Sequence, residues 1–117
     1  YGLVSMSMSL RRELKLLGSP RRTQVLVLLA LLGESYPSEI CRLLDAKKAA
    51  VLYVLDGLEA EGVVSSRPLG RTRRMELDPR FFAARELRAL LLKLGEADDR
   101  IRAAAARRRA RPRRKGK

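Results

Sequence analysis

Histidine is absent from this chain, and cysteine occurs once, at Cys41. Without imidazole there is no His-based acid–base catalysis and no His-ligated metal site. One thiol cannot form an intrachain disulfide, which suits a reducing, cytoplasmic setting. Tryptophan is also missing and aromatic residues make up 4% of the chain, so Leu, Val and Ala must fill the interior. The longest apolar run, Val25 to Leu32, is far short of the roughly 20 residues that cross a bilayer. Residues 1–10 lack the basic n-region of a signal peptide. There is no Gly-rich phosphate loop, no nucleophile–base pair and no clustered carboxylate site; Asp98-Asp99 reads as first-turn helix charge. These absences point to a binding protein rather than an enzyme, with no metal, no cofactor and no evident small-molecule effector.

What is present is a 117-residue chain with 46% hydrophobic residues, enough for one compact domain. Its formal net charge is +13, unevenly spread. Residues 100–117 hold 10 basic and no acidic residues, which leaves 16 basic and 13 acidic in 1–99. A polyanionic partner follows, nucleic acid ahead of an anionic membrane surface.

Hydrophobic spacing divides the chain into helices and a hairpin. Leu10, Leu14 and Leu17 share one face of a first helix over Leu3 to Leu17. Gly18 ends it, and Ser19-Pro20 starts a second that runs to Leu32, with Val25, Leu28, Leu29 and Leu32 facing the core. Arg21 and Arg22 oppose the dipole of its first turn, so they are either phosphate contacts or ordinary solvated charges. Pro37 opens a short helix to Leu44 with Ile40, Leu43 and Leu44 inward and Cys41 as a small filler. Another helix spans about Ala46 to Glu61, with Asp45 as its N-cap, stopped by Gly62. Val51, Val54, Leu55 and Leu58 line its inner side, and Ala49, Leu52, Tyr53 and Asp56 point away. Strands follow at Val63 to Arg67 and Arg73 to Leu77, joined by Pro68 to Thr72, with Gly70 able to take positive φ. A helix over about Phe82 to Leu94 comes next. Gly95 either interrupts it or lets it continue, and continuation keeps a seven-residue pattern through Leu87, Leu90, Leu94, Ala97, Ile101 and Ala104. Pro112 ends any helix, and 112–117 should be disordered. The expected organisation is an N-terminal arm (1–17), a domain (18–79), C-terminal helices (80–111) and a basic tail.

From Leu17 to Leu94 these residues resemble the winged helix-turn-helix transcriptional regulators of bacteria and archaea, of the arsenic-repressor-like or the MarR-like superfamily. The likeness rests on Tyr36-Pro37-Ser38-Glu39-Ile40, Arg42-Leu43-Leu44, then Val51, Leu55 and Leu58, then Glu61-Gly62-Val63-Val64. It continues through Arg67, Gly70-Arg71-Thr72-Arg73 and Met75-Glu76-Leu77-Asp78-Pro79. It implies a mainly α fold with a small β-hairpin wing and a C-terminal helix. It also implies a recognition helix presenting Lys47, Lys48, Ala49, Leu52 and Tyr53 to double-stranded DNA.

Two departures stand out. The turn before the recognition helix reads Asp45-Ala46-Lys47-Lys48 where the family has Gly, an aliphatic residue and a Ser or Thr cap. Two lysines thus lie in a first turn, against the dipole, a broken local rule of the kind found at functional sites. The exposed face also lacks the Arg, Asn or Gln that reads guanine or adenine, so Ala49, Leu52 and Tyr53 either meet thymine methyls, discriminate poorly, or face another protein. The thiolate pair of the metal-sensing relatives is missing, and metal sensing is not implied.

Arg67, Arg71, Thr72, Arg73 and Arg74 make the wing a DNA contact, with Arg71 and Arg73 on one face and Arg74 on the other; edge charge that blocks aggregation is the alternative. Arg21, Arg22 and Ser38 are further backbone contacts. In the tail, Arg107, Arg108, Arg109, Arg111, Arg113, Arg114 and Lys115 read as a sequence-independent nucleic-acid arm, for DNA or RNA, or as a solvated extension. Leu87, Leu90, Leu91, Leu94 and Ile101 are the expected homodimer face. The expectation is a nucleoid-associated transcriptional regulator; the alternative is a nonspecific or chromosome-architectural nucleic-acid-binding protein driven by the tail.

Overall fold

The computed structural model describes residues 17–110, with side chains up to 108. The helix expected over Leu3 to Leu17 falls almost wholly outside the described residues, as does the tail from 111. The described part is mainly helical: five helices and a three-stranded antiparallel sheet. In order these are α1 (Pro20–Leu32), β1 (Glu34–Ser35), α2 (Pro37–Leu44), α3 (Lys48–Ala60), β2 (Val64–Leu69), β3 (Thr72–Leu77), α4 (Ala84–Glu96) and α5 (Asp99–Ala110).

Helix α1 is the hub of the core. Its start is set by Ser19, whose Oγ accepts the Arg22 N–H at 3.1 Å, and by Pro20 in the first turn. Gly33 ends it at φ +88, its N–H donating to the Leu29 carbonyl at 2.8 Å. The spacing predicts one apolar stripe, yet every residue from Val25 to Ala30 is buried. A helix apolar on all sides belongs in the middle of a fold, and α2, α3, α4, α5 and the sheet all pack around it. Ile40, Val51, Leu55, Leu58, Val64, Met75 and Leu91 complete the core.

The turn between α2 and α3 differs from expectation. Asp45 does not cap α3; it closes α2 in the left-handed region at φ +53, a conformation that Asp tolerates better than most side chains. The Ala46 N–H then donates to the Cys41 carbonyl at 3.0 Å. Helix α3 therefore starts at Lys48 instead of Ala46, with Lys47 as its cap residue. It ends as expected near Gly62 at φ +81, where the Val63 N–H donates to the Leu58 carbonyl at 3.0 Å.

The sheet order is β1-β3-β2. Hairpin pairing runs out to Leu69↔Thr72, so the strands exceed the expected bounds and the turn is only Gly70-Arg71. Gly70 has φ +64 and Arg71 does not have positive φ, the pattern of a type II′ turn. Arg71 is thus at the tip, not on a strand face shared with Arg73. The two-residue β1 pairs with β3; its brevity hid it from periodicity.

Helix α4 begins two residues later than expected and passes through Gly95. Glycine is there because of a close crossing: a Cβ at Gly95 would lie 3.2 Å from Val27 Cγ1 and 3.5 Å from Leu31 Cδ1. The break falls at Ala97-Asp98, where Asp98 Oδ1 accepts the N–H groups of Arg100 (2.9 Å) and Ile101 (3.2 Å) and starts α5. The continuous seven-residue seam is therefore not formed. Helix α5 turns back onto α1 and α2 and buries Ile101, Ala104 and Ala105. Leu91 (0% exposed) and Ile101 (3%) fill the chain's own core and cannot form the expected pairing face. Leu87 and Leu94 are half-buried, and only Leu90, 37% exposed, opens to solvent. Among the described residues no helix is long and apolar enough to cross a membrane, and no group of side chains is arranged to hold a metal ion.

Candidate nucleic-acid interface

The beginning of α3 is electrostatically unlike the other described helix starts. α1 is capped by Ser19 and α5 by Asp98, while α2, α4 and α5 carry Glu39, Glu86 and Asp99 in their first turns. α3 has no side-chain cap and no acidic residue in its first turn. Its leading N–H groups face outward with the positive end of the dipole, and Lys47, Lys48, Ala49 and Ala50 are all exposed. Neither lysine has an ion-pair partner among the described residues. The exposed N–H groups and positive dipole end of such a helix start can accept an anion.

Along the open side of α3, Ala49 is exposed, Leu52 half-buried and Tyr53 82% exposed. Asp56 follows one turn on, with Glu59 beyond it, about 12–16 Å from Lys48 at 1.5 Å per residue. The face is thus cationic at its start, aromatic in the middle and acidic at its end.

The hairpin arginines are arranged differently from expectation. No acidic residue lies between Gly62 and Met75 in sequence, but the fold brings three from elsewhere. Arg67 and Arg74 stand opposite each other in the ladder, an unfavourable like-charge pair, and Glu34 reaches both, at 3.5 and 3.9 Å. The Arg74 guanidinium also sits 6.0 Å from the Tyr36 ring centre, within cation–π range. On the other face Arg73 meets Glu59 at 3.4 Å and Asp56 at 3.8 Å, and Ser66 Oγ donates to Glu59 at 2.7 Å. These contacts clamp the hairpin to α3. Thr72 is half-buried at the strand end, and Arg71, exposed at the tip, has no ion pair among the described residues. At the far end of β3 the Arg80 N–H, donating at 2.9 Å, and then its guanidinium, at 3.3 Å, hold the Asp78 carboxyl below its ordinary value.

Of the expected backbone contacts, Ser38 is exposed at the start of α2. Arg22 is not available: its Nη2 meets Glu61 at 2.7 Å and its Nε donates to the Leu17 carbonyl at 2.8 Å, tying the start of α1 to the end of α3. Arg21 donates to Gln24 at 3.0 Å and lines a groove beside α2 and α5. In the tail, Arg108 is also structural. It lies 3.5 Å from Glu39, a carboxylate 4% exposed that also accepts the Ser35 hydroxyl at 2.6 Å, and it donates to the Glu34 carbonyl at 3.5 Å. Arg107 donates to the Leu43 carbonyl at 3.4 Å. The side chain of Arg109, and Arg111, Arg113, Arg114 and Lys115, lie outside the described residues. Sequence reasoning did not find Glu34, Asp56 and Glu59 as partners of the hairpin, nor Arg42 and Arg100 beside Arg21, because no local pattern links those positions. No protein-family model and no curated protein matches this sequence, so the likeness noted above rests on the residues themselves.

Proposed function

We propose that this chain binds double-stranded DNA as a transcriptional regulator with a winged helix-turn-helix, α2 and α3 forming the helix-turn-helix and β2–β3 the wing. The observation that carries this reading is the start of α3: uncapped, free of acid and bearing two unpaired lysines. With α3 in the major groove, Lys47 and Lys48 hold phosphates at its edge, Ala49 and Tyr53 face the bases, and Arg71 meets the flanking backbone. Arg67, Arg73 and Arg74 orient the wing through their carboxylate partners. Two copies pair through the open side of α4 around Leu90, with Leu87 and Leu94 beside it.

A second reading is favoured by the same face. It offers a tyrosine and small residues, ends on Asp56 at 69% side-chain exposure, and has no side chain suited to bidentate base contact. Weak sequence discrimination follows, as in an architectural protein anchored by the basic tail. Selection of bound fragments from random duplex DNA separates the two. The tail must be cut after Ala110, because removing α5 would take Ile101, Ala104 and Ala105 out of the core. A motif enriched by residues 1–110 supports the regulator; equal binding of all fragments by 1–110 refutes it, and loss of binding with the tail supports the architectural protein. In the same assay Lys47→Ala/Lys48→Ala should reduce the salt dependence of log K by about 1.8, the release of two phosphate contacts.

A further inference from the structure

Several arginines on the described surface lie within 3.5 Å of a carboxylate: Arg22 of Glu61, Arg67 of Glu34, Arg73 of Glu59, Arg80 of Asp78 and Arg108 of Glu39. One groove gathers four that do not. It lies between the start of α1, the end of α2 and α5, holds about 430 Å³, and is lined by Arg21, Arg42, Arg100 and Arg107 together with Asp45 and Asp98. Arg21 and Arg107 donate only to an amide and a carbonyl oxygen. Arg42 comes no closer than 3.8 Å to Glu39, which Arg108 already meets, and the Arg100 side chain has no polar partner among the described residues. Four arginines thus line the groove with no carboxylate closer than 3.8 Å, although two aspartates share its walls.

Asp98 supplies an independent observation. It is 2% exposed, its Oδ1 accepts two backbone N–H groups, and its buried Oδ2 has no hydrogen-bond partner. A buried acceptor without a donor is rare and costly. The groove therefore has excess cationic donors and, in Asp98, an unmet acceptor. Planar guanidinium forks match phosphate oxygens two at a time, whereas a carboxylate oxygen calls for a hydroxyl or amino donor. Four arginines against two aspartates leave a surplus of +2, suited to a phosphate monoester of charge about −2. The volume is that of a small-molecule pocket.

We infer that this groove binds a phosphate-bearing small molecule with hydroxyl groups, a nucleotide or a sugar phosphate, its phosphate held by Arg21, Arg42, Arg100 and Arg107 and a hydroxyl donated to Asp98. Inorganic phosphate has P–OH donors but lacks the sugar that would fill the rest of the groove, so it binds less well.

Calorimetric titration of the full chain with ADP, ribose 5-phosphate, inorganic phosphate and adenosine, near physiological salt, tests this. ADP or ribose 5-phosphate should saturate one site, with inorganic phosphate and adenosine each weaker by about tenfold or more. Arg21→Gln/Arg100→Gln should weaken ADP and ribose 5-phosphate by about tenfold. Asp98→Asn keeps the α5 cap through its amide oxygen and should weaken ribose 5-phosphate but not inorganic phosphate. Should the double variant melt early, Arg100→Gln alone serves, since that side chain holds nothing in the fold. Absence of saturation, or affinity unchanged by the arginine substitutions, overturns the site, the latter placing the ligand on the basic tail. Ribose 5-phosphate affinity unchanged by Asp98→Asn overturns the role of Asp98, and inorganic phosphate binding as tightly as ribose 5-phosphate overturns a site for the sugar. None of these readouts involves DNA, so the outcome is independent of the regulator proposal.

Discussion

Replacing Lys47 by Asp should make the protein more stable and a weaker DNA binder at once. Lys47 is exposed and occupies the cap position of α3 with φ −70 and ψ 144, the extended conformation of a capping residue, but donates and accepts nothing through its side chain there. An aspartate at that position can accept an N–H of the first turn, a gain of about 1 kcal/mol over a residue that cannot cap. Exchanging a cation for an anion at the positive end of the helix dipole adds about 0.5 kcal/mol. The sum, about 1.5 kcal/mol, corresponds to a rise in Tm of about 6 °C for a chain of this size. The same change removes one phosphate contact and adds a charge of the wrong sign. One contact accounts for about 0.9 in the salt slope of log K, and reversal should lower affinity on the order of tenfold at low salt.

Thermal melting and fluorescence anisotropy on the same preparations measure both effects. Lys47→Asn separates them: it should keep most of the stabilisation and lose affinity by only about threefold, the cost of one missing phosphate contact. If Lys47→Asp melts higher yet binds DNA as the parent does, the lysines are ordinary solvated charges and the reasoning from the start of α3 fails. A lower melting temperature would refute the assignment of Lys47 as cap residue.

Three other perturbations probe the residues whose roles the fold decided. Arg108→Ala leaves Glu39 buried with only Ser35 and a distant Arg42, and should cost about 2 kcal/mol in urea unfolding; Glu39→Gln in the same background should recover part of that loss, and a coupling below about 0.5 kcal/mol would show that the pair is not a unit. Arg71→Ala and Arg73→Ala should behave oppositely: the first lowers the DNA salt slope by about 0.9 at unchanged stability, and the second costs about 0.5–1 kcal/mol with the slope unchanged. Gly95→Leu drives a side chain into Val27 and Leu31 and should destabilise by about 2–3 kcal/mol; parent-like stability would mean that the α1–α4 crossing is not tight.

Local chemistry made much of this architecture legible. Ser19-Pro20, Pro37, Gly33, Gly62 and Gly70 mark boundaries because caps, fixed φ and positive φ act over one turn of chain. The inner residues of α3 followed from spacing alone, since Val51, Val54, Leu55 and Leu58 repeat at the helical period. Position 45 is ambiguous in sequence because Asp suits both an N-cap and a left-handed helix end, and only the path of the chain chooses between them. Gly95 was ambiguous for a related reason. A glycine in a helix weakens it locally, but here a neighbouring helix needs the space.

Charge was the least legible property. Arg67, Arg73 and Arg74 form one basic stretch in sequence, yet each meets a carboxylate from β1 or α3, and Arg108 joins a buried glutamate instead of a tail. Coulomb interactions depend on distance in space, which sequence separation does not report. The sequence by itself determined which helices and which hairpin form and which side of α3 is apolar, whereas the start of α3, the length of the hairpin and the break between α4 and α5 depended on the fold. Only the tertiary structure decided which cations remain unpaired among the described residues, at Lys47, Lys48, Arg71, Arg85, Arg88 and the groove between α1, α2 and α5, because that depends on which carboxylates the packing of distant elements brings within reach.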